Sequence, residues 1–193
     1  MIKAGFQDKQ LIVNILVKSF DENKSVNYIV KQDNKRKQRL RKLMEYLFDV
    51  CFMLGDVFLS DNKKACALIV KSDLKKTSFK SVLLNLKLVL SVTGLLNLKK
   101  VIKRESAINT LHPKNEAYHY LWFIGVDQQD QNKGIGSKLL NDIITESAAL
   151  NIPIYLETSV AKNVTWYEKF GFVLYKKLYF GYELFCMTNS SVN

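Results

Sequence analysis

Leu121-Trp122-Phe123-Ile124-Gly125-Val126-Asp127-Gln128-Gln129-Asp130-Gln131-Asn132-Lys133-Gly134-Ile135-Gly136-Ser137 decides the fold. Its first six residues are aromatic, branched or small and read as a strand that starts at Tyr118. Asp127 to Asp130 is polar and turn-forming. From Gly134 to Leu150 the apolar spacing is helical, with Leu139, Leu140, Ile143, Ile144 and Ser147 on the inward face. A strand therefore feeds a helix through a turn with two glycines at its end. The first amides of a helix have no partner and sit at the positive end of its dipole, so they can hold a phosphate. Gly134 and Gly136 place no side chain in the way, and Lys133 adds a positive charge. A P-loop needs G-x-x-x-x-G-K-[ST] and a dinucleotide fold needs G-x-G-x-x-G, and neither is present. A plain tight turn remains an alternative at this point.

The pattern continues downstream. Ile152 to Thr158 reads as a strand, and Ala161 to Phe170 as a short helix that Gly171 ends. Val173 to Lys177 and Tyr182 to Met187 read as two further strands. Upstream, Asp8 to Phe20 has helical spacing with Asp8 as a candidate N-cap. A polar gap, Asp21 to Ser25, precedes a helix from Asn34 to Val50. Phe52 to Leu59 and Ala65 to Val70 read as a hairpin around Ser60-Asp61-Asn62-Lys63. Val82 to Lys103 fits both periodicities, and its length favours a helix broken at Gly94.

The chain has 193 residues, enough for one globular core, and the length prior gives one domain. With 29 basic and 18 acidic residues its net charge is +11, which favours anionic partners such as a phosphorylated cofactor, nucleic acid or anionic lipid. A solvated basic surface explains the charge equally well. Three widely spaced cysteines argue against a disulfide framework or a zinc site, and for free thiols in a reducing cytoplasm. The polar N-terminus lacks a signal-peptide pattern, and the apolar run from Val82 to Leu98 is too interrupted for a membrane span. No metal cluster is apparent. The basic run Lys35, Arg36, Lys37, Arg39, Arg41 and Lys42 sits near a helix start, where it fits the dipole badly. It reads as a solvated face, with nucleic-acid binding as a lesser alternative that would be steeply salt-dependent.

Gln131-x-x-Gly134-x-Gly136 after a hydrophobic strand resembles the acetyl-CoA motif of the GNAT N-acetyltransferase family. Tyr155-Leu156-Glu157-Thr158, then Asn163, then Tyr167-Glu168-Lys169-Phe170-Gly171-Phe172 resembles that family's second motif. The L-E-T-S form is similar to the branch that contains puromycin N-acetyltransferase. The resemblance covers about His119 to Thr188. It implies an α/β fold: a mixed, mainly antiparallel, splayed sheet with helices on both faces. It implies acetyl-CoA as co-substrate, held by Gln131, Asn132, Lys133, Gly134, Ile135, Gly136 and Ser137, with strand residues Ile124, Gly125 and Val126 along the pantetheine arm. Gln128 departs from the Pro that many members carry there, which bears on the stiffness of the turn.

In the same family a Tyr at position 167 is the usual general acid, and a phenol is protonated at neutral pH. A core aromatic is its bland alternative. Asn163, one turn earlier, can reach the cofactor or lie on the helix surface. Glu157 ends a strand ahead of this helix and is a candidate base. His119 is a weaker candidate, more often a packed residue, and His112 is too isolated to interpret. The implied activity is transfer of acetyl from acetyl-CoA to a primary amine of a small molecule, by direct attack in a ternary complex. The rival is a non-enzymatic acyl-CoA-binding or regulatory domain of the same fold. Residues 1–117 would form the acceptor-side half and 118–188 the cofactor and catalytic half. Phe20, Tyr28 and Tyr46 are candidates to line the acceptor pocket. A homodimer is compatible with this size, and nucleic acid is not an expected partner.

Overall fold

The computed structural model describes residues 1–74, 92–94 and 97–190. The alternation read from Val82 onwards falls, up to Ser91, outside the described residues. The described elements run β1 (Ile2–Lys3), α1 (Lys9–Phe20), α2 (Lys24–Ile29), α3 (Arg36–Leu54), β2 (Gly55–Leu59), β3 (Ala65–Lys71), α4 (Leu98–Asn109) and β4 (His119–Val126). They continue with α5 (Ile135–Ala149), β5 (Ile154–Thr158), α6 (Ala161–Glu168), β6 (Val173–Tyr179) and β7 (Glu183–Thr188). The strands form one sheet in the order β1-β2-β3-β4-β5-β7-β6.

Helices cover both faces, and β3 shows it. Cys66, Leu68 and Val70 pack toward α1 and α3, and Ala65, Ala67 and Ile69 pack toward α5. A strand buried on both sides loses its alternation, which is why β3 reads as a continuous apolar run. Phe48, Ile12, Leu16 and Leu139 are among the side chains fully removed from water, each worth about 1.5–3 kcal/mol. Cys51, Cys66 and Cys186 are free and buried.

Every neighbouring strand pair is antiparallel except β4 with β5. That parallel pair meets only at His119↔Ile154 and Tyr120↔Tyr155. Beyond it the remainder of each strand has no partner in the other, and the sheet splays. β4 also carries a bulge: Leu68 faces Phe123 and Ile69 faces Leu121, which leaves Trp122 as the extra residue. Trp122 and Phe123 consequently pack on the same side, with the α1/α3 cluster, before Ile124 returns to the α5 side.

Three local expectations change. Asp8 does not cap α1, because its carboxylate accepts from the Gly5 amide at 3.0 Å and so closes the preceding single turn. The polar gap from Asp21 contains α2, capped by Asn23, whose side chain accepts from the Val26 amide at 3.1 Å. Phe52 to Leu54 are helical, not strand, and α3 passes directly into β2 at Gly55. A Cβ there would lie 2.0 Å from the Ile69 carbonyl oxygen, so only glycine permits this close junction. The basic run is partly structural: Arg36 pairs with Asp21 at 2.6 Å and Arg39 with Asp33 at 2.8 Å.

Candidate active site

The turn after β4 has the expected geometry. Asp127 accepts from the Gln129 amide at 3.3 Å and begins a single helical turn, and the chain reaches Gly134 with φ 77°. That left-handed conformation disfavours any residue with a Cβ. The first backbone bond into α5 is Lys138 N–H to the Gly134 carbonyl at 2.9 Å. The amides of Ile135, Gly136 and Ser137 thus have no backbone acceptor among the described residues and lie at the positive end of the helix. A Cβ on Gly136 would come within 3.0 Å of the Val126 side chain. Lys133 is exposed and pairs with Asp130 at 2.8 Å, and that pairing holds the Asp130 carboxyl below its usual value. Such a cradle of free amides suits a pyrophosphate, so the residues fit acetyl-CoA.

Where β4 and β5 part, a cavity of about 760 Å³ opens. Its walls are mostly apolar: Phe20 from α1, Val26 from α2, Leu43 and Tyr46 from α3, and Trp122 and Phe123 from the bulge. Phe20 meets Phe123 edge-on at 4.7 Å, and Tyr46 meets Trp122 edge-on at 6.4 Å. α4 contributes Arg104 and Glu105. Glu157, Asn163 and Tyr167 lie in the same wall. Phe20 and Tyr46 thus both line this cavity. Tyr28 instead packs in a separate cluster against Tyr182, 5.6 Å away.

Tyr167 is buried between Trp166 at 4.7 Å and Phe172 at 5.6 Å. Its hydroxyl makes no hydrogen bond among the described residues, and the residue lines the cavity. Burial disfavours the phenolate and pushes its pKa up, so the phenol stays protonated at neutral pH. Trp166 Nε1 donates to Ser137 Oγ at 3.1 Å, which ties α6 to the first turn of α5.

Glu157 is held from two sides. His112 Nε2 lies 3.0 Å from Oε1, and the Tyr120 hydroxyl donates to Oε2 at 2.5 Å. Both the His112 and Glu157 side chains are almost wholly buried, at 2% and 4% exposure. Burial first, and the Glu157 charge second, push the Tyr120 phenol well above its ordinary pKa. Neither partner is marked as a site residue by the sequence. Tyr120 was legible only as a strand residue, and His112 comes 45 positions before Glu157, with no local signal to join them.

His119 lies elsewhere. Its Nδ1 is 2.7 Å from Ser147 Oγ, and it borders a small recess with Asp56 and Lys71, away from the main cavity. Burial lowers its pKa, with Lys71 adding to the effect. Ile124 lines the cavity. Gly125 faces Ser19 and Leu16 of α1, and the Val126 carbonyl accepts from Ser19 at 2.8 Å and Gln131 at 3.4 Å. Asn132, Lys133 and Gln131 are exposed on the turn. Among the described residues no group of three or more His, Cys, Asp or Glu side chains could hold a metal ion, and no helix is long and apolar enough to cross a membrane.

Residues 99–174 match the Acetyltransferase (GNAT) domain. An uncharacterized N-acetyltransferase of Schizosaccharomyces pombe is 33% identical over 78 residues, 40% of this chain and 32% of that protein. The matching stretch thus spans about a third of the length of that curated relative. Among solved structures, a histone acetyltransferase and related acetyltransferase from Corynebacterium glutamicum superposes with a TM-score of 0.73 at 20% identity, over 100% of this chain and 96% of that one. Arylalkylamine N-acetyltransferase 2 from Aedes aegypti superposes with a TM-score of 0.68 at 12% identity, over 97% and 96% of the two chains. The architecture is the GNAT fold, as the sequence motifs implied.

Proposed function

We propose that this GNAT-fold chain is an acyltransferase that moves an acetyl group from acetyl-CoA to a primary amine of a small molecule, by direct attack in a ternary complex. The observation that carries this is the convergence of Tyr167, Glu157 and Asn163 on one cavity at the splay of β4 and β5. The free amides of the following turn fit the cofactor's pyrophosphate. The match of residues 99–174 to an acetyltransferase domain supports the same reading. The aromatic walls, the resemblance to the puromycin-acetylating branch and the likeness to an arylalkylamine acetyltransferase favour a small acceptor with an apolar body.

When bound, acetyl-CoA supplies an activated acyl thioester. Ile135, Gly136 and Ser137 hold its phosphates by backbone donors, with Gln131, Asn132, Lys133 and Gly134 completing the turn, and Ile124 to Val126 flank the pantetheine arm. Glu157 removes one proton from the acceptor's ammonium and passes it to solvent, which frees the lone pair. Tyr167 donates a proton to the departing sulfur and regains one from the nitrogen. Asn163 steadies the reacting end from the same wall. The two halves, 1–117 and 118–188, divide this labour between acceptor and cofactor within one domain.

The test is thiol release from acetyl-CoA in the presence of a panel of primary amines, joined to thermal unfolding with cofactor alone. Acetyl-CoA at about 100 times its Kd stabilises by roughly 2.7 kcal/mol. At about 2–4 °C per kcal/mol for a chain this size, that is a rise of roughly 5–10 °C. No rise at millimolar acetyl-CoA would sink the proposal. A rise without turnover of any amine would favour the binding-domain alternative.

A further inference from the structure

The proposed function gives no part to His112, which belongs to the constellation around Glu157. His112 lies in the connection between α4 and β4, and its ring is walled by Tyr118 at 5.1 Å, Tyr120 at 5.1 Å and Tyr155 at 5.6 Å. Its Nε2 faces Glu157, whereas its Nδ1 is buried with no hydrogen-bond partner among the described residues. A neutral imidazole carries one N–H. On Nδ1 that proton would be a buried, unsatisfied donor, and the lone pair of Nε2 would oppose the carboxylate. On Nε2 it donates to Glu157, and only a bare lone pair is left facing the aromatic walls. The second arrangement avoids the larger penalty. Glu157 thus receives one donor on each oxygen, His112 on Oε1 and Tyr120 on Oε2.

We propose that His112 is a positioning residue for the acceptor amine: its Nε2–H, opposite the Tyr120 hydroxyl, fixes the orientation of the Glu157 carboxylate at the cavity wall. A carboxylate has about four lone-pair sites, and two donors leave the others for an ammonium. The acceptor consequently enters as a cation and loses its proton in place. This rests on the reading of Glu157 as proton acceptor. Burial raises Tyr118 and Tyr175, and pushes the Cys186 thiol up to about 12, with the Glu157 charge next in each case. Arg104 on α4 is charge-paired with the adjacent Glu105 and donates to Tyr182 at 3.0 Å and Ser25 at 2.7 Å, so it remains a fixed cation.

The experiment takes the full chain and an amine that supports turnover, and records kcat, KM and the pH profile of kcat/KM. His112→Phe keeps a ring among the tyrosines and removes the donor. Losing a hydrogen bond to a charged group is expected to lower kcat/KM by about tenfold or more. Removing a donor also disfavours the ionised carboxylate, so the acidic limb of the profile moves to higher pH. His112→Gln, which restores an N–H donor, recovers much of both. Should His112→Phe not fold, Tyr120→Phe strips the opposite oxygen and moves the limb the same way. Wild-type kinetics in His112→Phe, or a loss with an unshifted limb and no recovery by Gln, overturns the proposal. Glu157→Gln separates the two readings. If it keeps full turnover, the role of Glu157 fails and the proposal falls with it. If it is inactive while His112→Phe is unchanged, only the role of His112 falls.

Discussion

Tyr167→Phe isolates one atom. The hydroxyl makes no hydrogen bond among the described residues, and the ring's contacts with Trp166 and Phe172 survive the change. Deleting an unbonded hydroxyl inside a packed site shifts stability by no more than about 0.5 kcal/mol. At roughly 2–4 °C per kcal/mol that is a Tm change of about 1–2 °C. The catalytic effect is expected to be far larger, because a positioned general acid contributes about 10²–10⁴-fold. The assay is thiol release at saturating acetyl-CoA and amine, alongside thermal unfolding with and without cofactor. The expected result is a fall in kcat of at least about a hundredfold, with the Tm and the cofactor-induced rise both retained. Undiminished kcat with every amine the wild type accepts would refute the general-acid role. A loss of several degrees in Tm would refute the premise that the hydroxyl is structurally idle.

Gly134→Glu meets no atom of the described residues within 4 Å of its Cβ, so its folding penalty is that of the φ of 77°, about 1–2 kcal/mol. The variant should fold, and its acetyl-CoA-induced rise in Tm should vanish; a rise that persists would place the cofactor elsewhere. Asn23→Ala removes the cap of α2 and a contact from Ser159 at 3.3 Å, and should cost about 0.5–2 kcal/mol, or roughly 1–8 °C in Tm. Because Asn23 also borders the cavity, the KM for the amine should rise while the cofactor response is unchanged; an unaltered Tm would count against the cap. His119 is buried with a lowered pKa, so the fold favours its neutral form and the stability this gives is present above the unfolded pKa of about 6.5. It is lost as the pH falls from there toward the folded value, and His119→Gln should flatten the Tm–pH curve in that acid window without altering kcat; a curve as steep as wild type's would contradict this.

The parts of the fold legible in sequence were those set by local periodicity and local chemistry. α5, the turn at Gly134 and the hairpin at Ser60 follow from residues within a few positions of one another. α2 was missed because six residues carry too little periodicity, and its one signal, Asn23 as cap, sits in a run of polar residues. The end of α3 reads as strand because Phe52 to Leu59 is apolar but for Gly55 and Asp56, and only the packing of Gly55 against Ile69 fixes the junction. The bulge left a trace that periodicity passed over: consecutive Trp122 and Phe123 break an alternation in which only one could face α1. Tyr167 and Glu157 stand in a stretch that resembles a family motif, so the sequence singles them out as candidates. His112 and Tyr120 are not singled out, because a buried polar pair is defined by partners that only the closed sheet brings together.

The charge distribution bears on both substrates. The chain carries +11 overall, yet the cavity wall is charge-balanced, with Glu157 and Glu105 beside Arg104 and Lys114. A diffuse positive field draws a polyanionic cofactor toward the molecule. At physiological salt that field decays over about 8 Å, so it exerts little repulsion on an amine already inside a walled cavity. On the proposed reading, what the amine meets there is local: a carboxylate that accepts from Tyr120 and lies 3.0 Å from His112 Nε2. The same chain can thus favour an anion at the mouth of α5 and a cation at the splay of β4 and β5. The sheet separates these two demands, because the strands that diverge to open the acceptor cavity are those whose far ends lead into the phosphate turn and into α6.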